Sequence, residues 1–212
     1  MVPRLRKTLS LMNHSDEKSV IVLGAGGHAR VLVSILKRLN RRILGATCLP
    51  PIEENDLFGI PILGDDDEIK NWNPQEIELV NGIGMITAGE AARHENSNRM
   101  RALGYRFLEV VDPSAFIAPE ATVSEGAQVM AGAIIQPGAI IGKDSIINTG
   151  AQVDHDCVIG EGSHVCPGSL LAGDVRIGQK SIVGSGSIII PRIQVGSCRM
   201  IRAGSIITSN VD

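Results

Sequence analysis

Aromatic residues are scarce in this sequence. Only 2% of its 212 residues are aromatic (one Trp, one Tyr and three Phe), although 43% are hydrophobic. A core with so few rings has to be filled by many small aliphatic contacts. Stacked repeats are built on such contacts, whereas compact sandwiches usually recruit aromatic side chains. The composition therefore favours a repetitive fold.

Long apolar runs and an excess of positive charge are also missing. No apolar run reaches the roughly 18 residues that a membrane-spanning helix needs, so no membrane span is expected. The net charge is −3 and the isoelectric point is about 6.0. Because no basic face is indicated, nucleic acid is not expected as a partner.

The cysteines lack the spacing of a metal site or of a redox pair. Cys48, Cys157, Cys166 and Cys198 form no C-x-x-C motif. Reduced thiols in a cytoplasmic protein, without a bound metal, are therefore expected. Residues 1–18 carry cationic side chains but no long apolar stretch and no small-residue cleavage site. They are interpreted as a disordered tail and not as a signal peptide.

Residues 19–111 mix strand and helix signals. The β-branched run Ser19-Val-Ile-Val-Leu-Gly24 predicts a buried parallel strand, and residues 29–40 then place apolar side chains at helical spacing. Further strands are predicted at 41–47, 60–64 and 78–86, and a second helix at 88–103. This alternation predicts a small α/β domain with a parallel sheet. Asp112-Pro113 is its natural boundary, because Pro disfavours helix in the residue before it.

A single six-residue period occupies the rest of the chain, and residues 112–212 are assigned to it. Sixteen consecutive positions, every sixth residue without an insertion, are Ile, Val or Leu. They are Ile117, Val123, Val129, Ile135, Ile141, Ile147, Val153, Ile159, Val165, Leu171, Ile177, Val183, Ile189, Val195, Ile201 and Ile207. In most repeats a small residue follows four positions later, as at Ala133, and Gly is frequent just before it, as at Gly132.

This pattern predicts a β-helix. Each short strand needs one large inward residue, and each tight corner needs a small residue beside one that tolerates a positive φ. Three hexads make one triangular coil, so the sixteen hexads give about five stacked coils with a continuous aliphatic core. The repeat alone leaves the handedness of the coil open.

Two motifs extend this pattern to a known family. The chain carries Val20-Ile-Val-Leu-Gly-Ala-Gly-Gly-His-Ala29, then the hexads, then Ile147-Asn-Thr-Gly-Ala-Gln-Val-Asp-His-Asp-Cys157 and His164. Over residues 19–212 it resembles hexapeptide-repeat acetyltransferases of the sialic acid O-acetyltransferase and nucleotide-4-amino-sugar N-acetyltransferase group. The resemblance implies a Rossmann-like nucleotide-sugar-binding domain at 19–111, a left-handed β-helix at 112–212 and a homotrimer.

The activity that the resemblance implies is N-acetylation of a nucleotide-linked amino sugar by acetyl-CoA, for surface glycan biosynthesis. Direct transfer to an amine needs a base, and a neutral imidazole suits that role near pH 7. His155 lies at a corner, two residues after the inward Val153, where a solvated surface histidine is the alternative. Asp154 and Asp156 flank it, and the resemblance selects Asp156 as the carboxylate that orients the imidazole.

Further contacts follow from the same resemblance. It implies acetyl-CoA contacts at His164, Ser185, Ala203 and Gly204. His164 lies nine residues after His155, which is half a coil, so it belongs to another side of the prism. Across a trimer interface it can approach a neighbour's site.

The glycine-rich loop Gly24-Ala-Gly-Gly-His28 joins a predicted strand to a predicted helix. Its amides and the helix N-terminus suit a phosphate. As a dinucleotide fingerprint it is weak, because its sixth position is Ala29 and no acidic residue follows about 20 residues later. The resemblance implies that Gly26, Gly27, His28 and Gly84 contact the nucleotide part of the sugar substrate.

The sequence departs from the family pattern at two places. Cys48 and Leu49 stand where the family usually has one or two Asp after the second strand. This departure weakens the transfer of nucleobase contacts to this chain. The family often continues into a Gly-x-Pro-Ala segment, where this sequence has Ser209-Asn-Val-Asp212. That difference is expected to remove part of the wall around the adenine of CoA.

Other functions remain as alternatives at this point. O-acetylation of sialic acid or a related nonulosonic acid uses the same chemistry, and no motif separates a hydroxyl acceptor from an amine. A zinc-dependent β-helix hydratase needs three His ligands, whereas the repeat region offers only His155 and His164. A non-catalytic binding or assembly module would be favoured if acetyl-CoA did not bind.

Overall fold

The computed structural model describes residues 17–49, 56–85, 87–89 and 91–212. The expected disordered tail falls mainly on residues 1–16, which lie outside the described residues. Its last two positions are described. Glu17 forms an ion pair with Arg41, and the Lys18 Nζ donates to the Pro74 carbonyl.

The N-terminal part is an α/β unit around one mixed sheet. Its elements are β1 (Ser19–Leu23), α1 (Gly27–Arg38), β2 (Ile43–Thr47), β3 (Asp56–Leu57), β4 (Ile60–Gly64), a 3-10 helix (Asp66–Asn71), β5 (Ile77–Asn81) and α2 (Ala91–Ala102). The strand order is β3-β4-β2-β1-β5, and all neighbours are parallel except the hairpin β3–β4. The predicted parallel strands and both helices are present, whereas β3 and the 3-10 helix were not predicted.

The C-terminal part is a left-handed β-helix of two-residue strands, which confirms the expected fold class. The strands are β6 (Val110–Val111), β7 (Phe116–Ile117), β8 (Thr122–Val123), β9 (Gln128–Val129), β10 (Ile134–Ile135), β11 (Ile140–Ile141), β12 (Ile146–Ile147), β13 (Gln152–Val153), β14 (Val158–Ile159), β15 (His164–Val165), β16 (Leu170–Leu171), β17 (Arg176–Ile177), β18 (Ile182–Val183), β19 (Ile188–Ile189), β20 (Gln194–Val195), β21 (Met200–Ile201) and β22 (Ile206–Ile207). The division of the chain into domains at Val111 stays a prediction.

These strands form three parallel sheets, one for each side of the prism. Sheet C contains β6, β9, β12, β15, β18 and β21; sheet D contains β7, β10, β13, β16, β19 and β22; and sheet E contains β8, β11, β14, β17 and β20. Each strand pairs with the strand 18 residues away, as Ile147 pairs with Val165. Three hexads therefore make one coil, as the repeat predicted.

The hexad residues occupy the places that the pattern assigns to them. The second residue of each strand points inward, so that Val129, Ile147, Val165 and Val183 stack in one fully buried ladder. The corners use positive φ, mostly at Gly, as at Gly132 with φ of 67°. Small buried residues follow, and serines among them donate to carbonyls of the next coil, as Ser169 Oγ does to Gly184 O at 2.9 Å. These bonds satisfy hydroxyls that would otherwise be buried without a partner.

The α/β unit packs on the first coils of sheet C. Helix α1 buries Leu32, Val33 and Leu36 in a cluster that also contains Met130 and Ile146. Ion pairs reinforce this contact. One joins Arg38 to the buried Asp112, and Arg101 pairs with both Glu125 and Asp144. In the pair with Asp144, the two guanidinium nitrogens lie 2.6 and 2.8 Å from the carboxylate oxygens. No helix among the described residues is long and apolar enough to cross a bilayer.

The Arg101–Asp144 pair gives a test of this packing. The Asp144 side chain is only 2% exposed, so Arg101→Ala leaves a buried carboxylate without its cation. We expect a loss of about 3 kcal/mol in the free energy of unfolding, measured by chemical denaturation. Lys70→Ala is the matched control, because it removes an exposed ion pair with Asp67, and solvent screening makes such a pair contribute little to stability. Equal losses in the two variants would contradict this account of the packing.

Candidate active site

The glycine-rich loop between β1 and α1 lies against the β-helix. His28, the second residue of α1, places its Nε2 at 2.7 Å from the Gln128 Oε1 on sheet C. Gln128 donates its own Nε2 to the Asn81 carbonyl at 2.8 Å, so its amide oxygen faces His28. An amide oxygen only accepts, and therefore His28 carries its proton on Nε2.

His164 lies on the same sheet, two coils above Gln128. Its Nδ1 is 3.3 Å from the Met85 carbonyl, and its Nε2 is 2.9 Å from the Asn148 Nδ2. Since a carbonyl accepts and an amide nitrogen donates, His164 is a neutral imidazole with its proton on Nδ1. Burial is the main cause that lowers the pKa values of both His28 and His164 to about 4. Neither ring is charged near neutral pH.

A cavity of about 590 Å³ lies between the glycine-rich loop of the α/β unit and sheet C. It brings together the four residues predicted to bind substrate and the predicted cofactor contact His164. Its lining comprises Gly24, Gly26, Gly27, His28, Val31, Gly82, Ile83, Gly84, Met85, Asn148 and His164.

A second cavity of about 410 Å³ continues towards the C-terminal coils. Ser185 and Ala203, two predicted acetyl-CoA contacts, line it together with Cys166 and Arg202. Met85 lines both cavities. Gly204 is next to this lining, and its amide donates to the Ser185 carbonyl at 2.9 Å.

The His155–Asp156 pair occupies the corner between β13 and β14. His155 Nδ1 lies 2.9 Å from the Asp156 Oδ2, and the imidazole is 60% exposed. Because a carboxylate accepts, Nδ1 carries the proton and Nε2 is left as the basic nitrogen. The hydrogen bond to Asp156 is the main cause that raises the pKa of His155, and the negative charges of Asp154 and Asp174 add to it.

The catalytic candidate and the cavities lie on different sides of one chain. Both cavities open along sheet C, whereas His155 lies between sheets D and E. His155 is not among the described residues that line either cavity. One chain therefore brings the predicted substrate residues together with His164, and leaves His155 apart from them.

Several residues that line or support the cavities were not predicted. Gln128 and Asn148 fix His28 and His164, and Arg93 donates to the carbonyls of Asn81 and Ile83 at 2.9 and 2.5 Å. Arg93 thereby holds the loop that forms one wall of the first cavity. The sequence did carry a signal for Gln128. It occupies an outward strand position 36 residues before His164, which is two coils earlier on the same side of the prism.

The described residues contain no group of three or more His, Cys, Asp and Glu side chains that could hold a metal ion.

A stack of hexapeptide coils with cavities along one side defines a transferase of the hexapeptide-repeat class. Comparisons with known proteins support this class. Residues 19–92 match the PglD N-terminal domain, and residues 138–173 match the bacterial transferase hexapeptide. No curated protein sequence matches the chain significantly.

Solved structures resemble the whole fold. The perosamine N-acetyltransferase from Caulobacter crescentus, a mutant bound to CoA and GDP-perosamine, is 31% identical with a TM-score of 0.84. The alignment covers 91% of this chain and 90% of that one. The acetyltransferase domain of PglB from Neisseria gonorrhoeae is 28% identical, with a TM-score of 0.84 and coverage of 92% and 94%. It has also been solved in complex with acetyl coenzyme A.

The chain belongs to the family of hexapeptide-repeat acetyltransferases with a PglD-type N-terminal domain, and it is an acyltransferase. The family expected from the two motifs is thereby confirmed. The roles of the individual site residues stay predictions.

The Asp156 hydrogen bond can be tested by titration of the His155 ring. Asp156→Asn replaces the charged acceptor of this hydrogen bond by a neutral amide and so weakens the main cause of the raised pKa; we therefore expect the pKa of His155 to fall, measured by NMR. The matched control is Asp154→Asn. Asp154 accepts the backbone amide of His155 at 2.7 Å and acts on the ring only by its charge. We expect a smaller fall in this control, and equal falls in both variants would contradict the assignment of Asp156.

Proposed function

We propose that the protein transfers the acetyl group of acetyl-CoA to the amino group of a nucleotide-linked amino sugar, in the cytoplasm, for surface glycan biosynthesis. The observation that carries this proposal is the imidazole of His155, with Nδ1 on Asp156 and Nε2 free to accept a proton. The relative bound to CoA and GDP-perosamine supports an acceptor of this class.

The chemistry of direct transfer fits this pair. The acceptor nitrogen attacks the thioester carbonyl while Nε2 of His155 takes a proton from the amine. The tetrahedral intermediate then collapses, the carbon–sulfur bond breaks, and His155 returns the proton to the departing thiolate, so that CoA leaves as the thiol and the imidazole is neutral again. Asp156 stays ionised and stabilises the imidazolium that forms between these steps.

A covalent acyl-enzyme finds no support in the cavities. Cys166 lines the second cavity, and burial raises the pKa of its thiol to about 11. The thiolate is the nucleophilic form of cysteine, and almost none is present near neutral pH. The cavity thiol is therefore unsuited to attack acetyl-CoA.

The C-terminal coils offer charge that suits the phosphates of CoA. Residues 175–212 contain five Lys or Arg side chains and only one Asp, in a chain with a net charge of −3. Arg202 belongs to this basic end and lines the second cavity beside Ser185 and Ala203. A guanidinium group matches the geometry of a phosphate. We therefore assign the second cavity, with Gly204 at its border, to acetyl-CoA.

The first cavity is assigned to the acceptor. The amides of Gly26 and Gly27 lie at the N-terminus of α1, where the helix dipole favours a phosphate. His28 and Gly84 lie in the same lining. A nucleotide diphosphate at this loop leaves the sugar to extend towards sheet C.

A homotrimer completes the site in this proposal. His155 is remote from the cavities of its own chain, so a neighbouring chain must supply it. The outward row of sheet D carries apolar side chains that suit such packing. They are Phe116, Ile134, Leu170, Ile188 and Ile206, of which Phe116 and Ile206 are 54% and 67% exposed.

The role of His155 is tested by His155→Ala. We expect kcat to fall by about 10²- to 10⁴-fold, because the general base is lost, while light scattering still reports a trimer. Glu161→Ala is the matched control, since Glu161 occupies the same place in the next hexad. Near-normal turnover of His155→Ala would contradict the role of His155 as the general base.

The acceptor class is tested by thermal shift with CoA and UDP-, GDP- or dTDP-linked amino sugars. A nucleotide-linked amino sugar should raise the unfolding temperature, because a ligand that binds only the folded state stabilises it. Acetyl-CoA consumption with the same acceptors then measures transfer. Consumption with free sialic acid alone would instead indicate O-acetylation, and absence of acetyl-CoA binding would indicate a non-catalytic module.

A further inference from the structure

One glycine lies directly beneath the imidazole of His155. Gly173 occupies the same corner as His155, one coil further along, and the amide of Asp174 donates to the His155 carbonyl at 2.9 Å. A Cβ atom added to Gly173 would lie 2.5 Å from Nε2 of His155 and 2.6 Å from its Cε1. Such distances are far inside van der Waals contact, so the ring uses the space that a side chain at Gly173 would fill.

The repeat shows that this corner does not require glycine. Gly173 stands two residues after the inward Leu171, and the same place occurs in each of the sixteen hexads. Their residues are Pro119, Glu125, Ala131, Pro137, Lys143, Thr149, His155, Glu161, Pro167, Gly173, Gln179, Ser185, Pro191, Ser197, Ala203 and Ser209. Gly173 is the one glycine among them.

The backbone gives no other reason for the glycine. Gly173 is absent from the residues with positive φ, so an L-residue can adopt its conformation without strain. Ala131 and Ala203 show that the corner accommodates a methyl group. What distinguishes Gly173 from the other fifteen positions is the imidazole that rests on it.

The carboxylate of the pair has a similar arrangement on the preceding coil. A Cβ atom added to Gly138 would lie 2.5 Å from the Asp156 Oδ1. Gly138 has a φ of 75°, so its backbone also favours glycine and a substitution there would not separate the two causes. Gly173 is free of that ambiguity.

We propose that Gly173 is a positioning residue, whose missing side chain lets the Nε2 end of the His155 imidazole rest against the next coil while the ring keeps its hydrogen bond to Asp156. This inference rests on the proposed role of His155 as the general base. A methyl group at position 173 displaces the ring, breaks the geometry with Asp156 and moves Nε2 away from the acceptor amine.

The test is Gly173→Ala in the full chain. A displacement of the base by about 1 Å costs on the order of 100-fold in rate, so we expect kcat to fall by that factor while the KM for acetyl-CoA is unchanged. NMR should show a lower pKa for His155, because the hydrogen bond that raises it is disturbed. Ala131→Gly, the reverse exchange at the same place of another hexad, should leave both quantities unchanged.

A thermal double-mutant cycle makes the test independent of activity. Gly173→Ala at an unstrained backbone should raise the unfolding temperature in the His155→Ala background, where the ring is gone, and should raise it less, or lower it, when His155 is present. An equal change in both backgrounds would overturn the proposal. So would a folded Gly173→Ala protein with an unaltered His155 titration. If His155→Ala instead keeps its turnover while the cycle shows coupling, His155 is not the general base. The contact between its ring and Gly173 is then supported on its own.

Discussion

The vertical register between coils is the constraint on which the rest of this structure depends. Strand amides donate to carbonyls of the next coil, as Gln152 does to Ser169 at 2.8 Å, and no insertion breaks the sequence of rungs. Residues 18 positions apart therefore share one place on the prism. The inward ladder of aliphatic side chains stabilises this register, because a slip by one residue would turn the whole ladder outward. Once the register is set, the place of every side chain on the surface follows.

The corners are where this regular structure supplies reactive groups. Eight corners of the β-helix place Gly at positive φ, but Asp156 adopts a φ of 60° in the same role. Asp tolerates this conformation better than most residues, although a left-handed conformation still costs about 1–2 kcal/mol. In return the backbone turn aims the Asp156 carboxylate at the preceding imidazole. The His155–Asp156 pair therefore needs no loop, since the turn that closes the coil already holds both side chains.

The sequence predicted the elements that depend on local pattern. The hexads indicated all sixteen strands from Phe116–Ile117 to Ile206–Ile207, because each strand repeats the same packing requirement. The hairpin of β3 with β4 was missed, since Asp56–Leu57 is too short to carry a periodic signal. The partners of His28 and His164 were also missed. Gln128 and Asn148 are polar residues on the outside of the repeat, and only the docking of the α/β unit buries Gln128 and gives both of them a role.

The three histidines of the site are distinguished by burial more than by sequence. His28 and His164 lie where the α/β unit meets the β-helix, and burial lowers their pKa values to about 4. They serve as neutral hydrogen-bonding groups with a fixed tautomer. His155 is exposed beside Asp156, which raises its pKa, so it can exchange a proton near neutral pH. The register that stacks the coils thus places His155, the proposed base, and the cavities proposed to bind substrate on different sides of one chain. The homotrimer that we propose would bring the exposed corner of one chain to the cavities of the next, and would make an otherwise solvated imidazole part of an enclosed site.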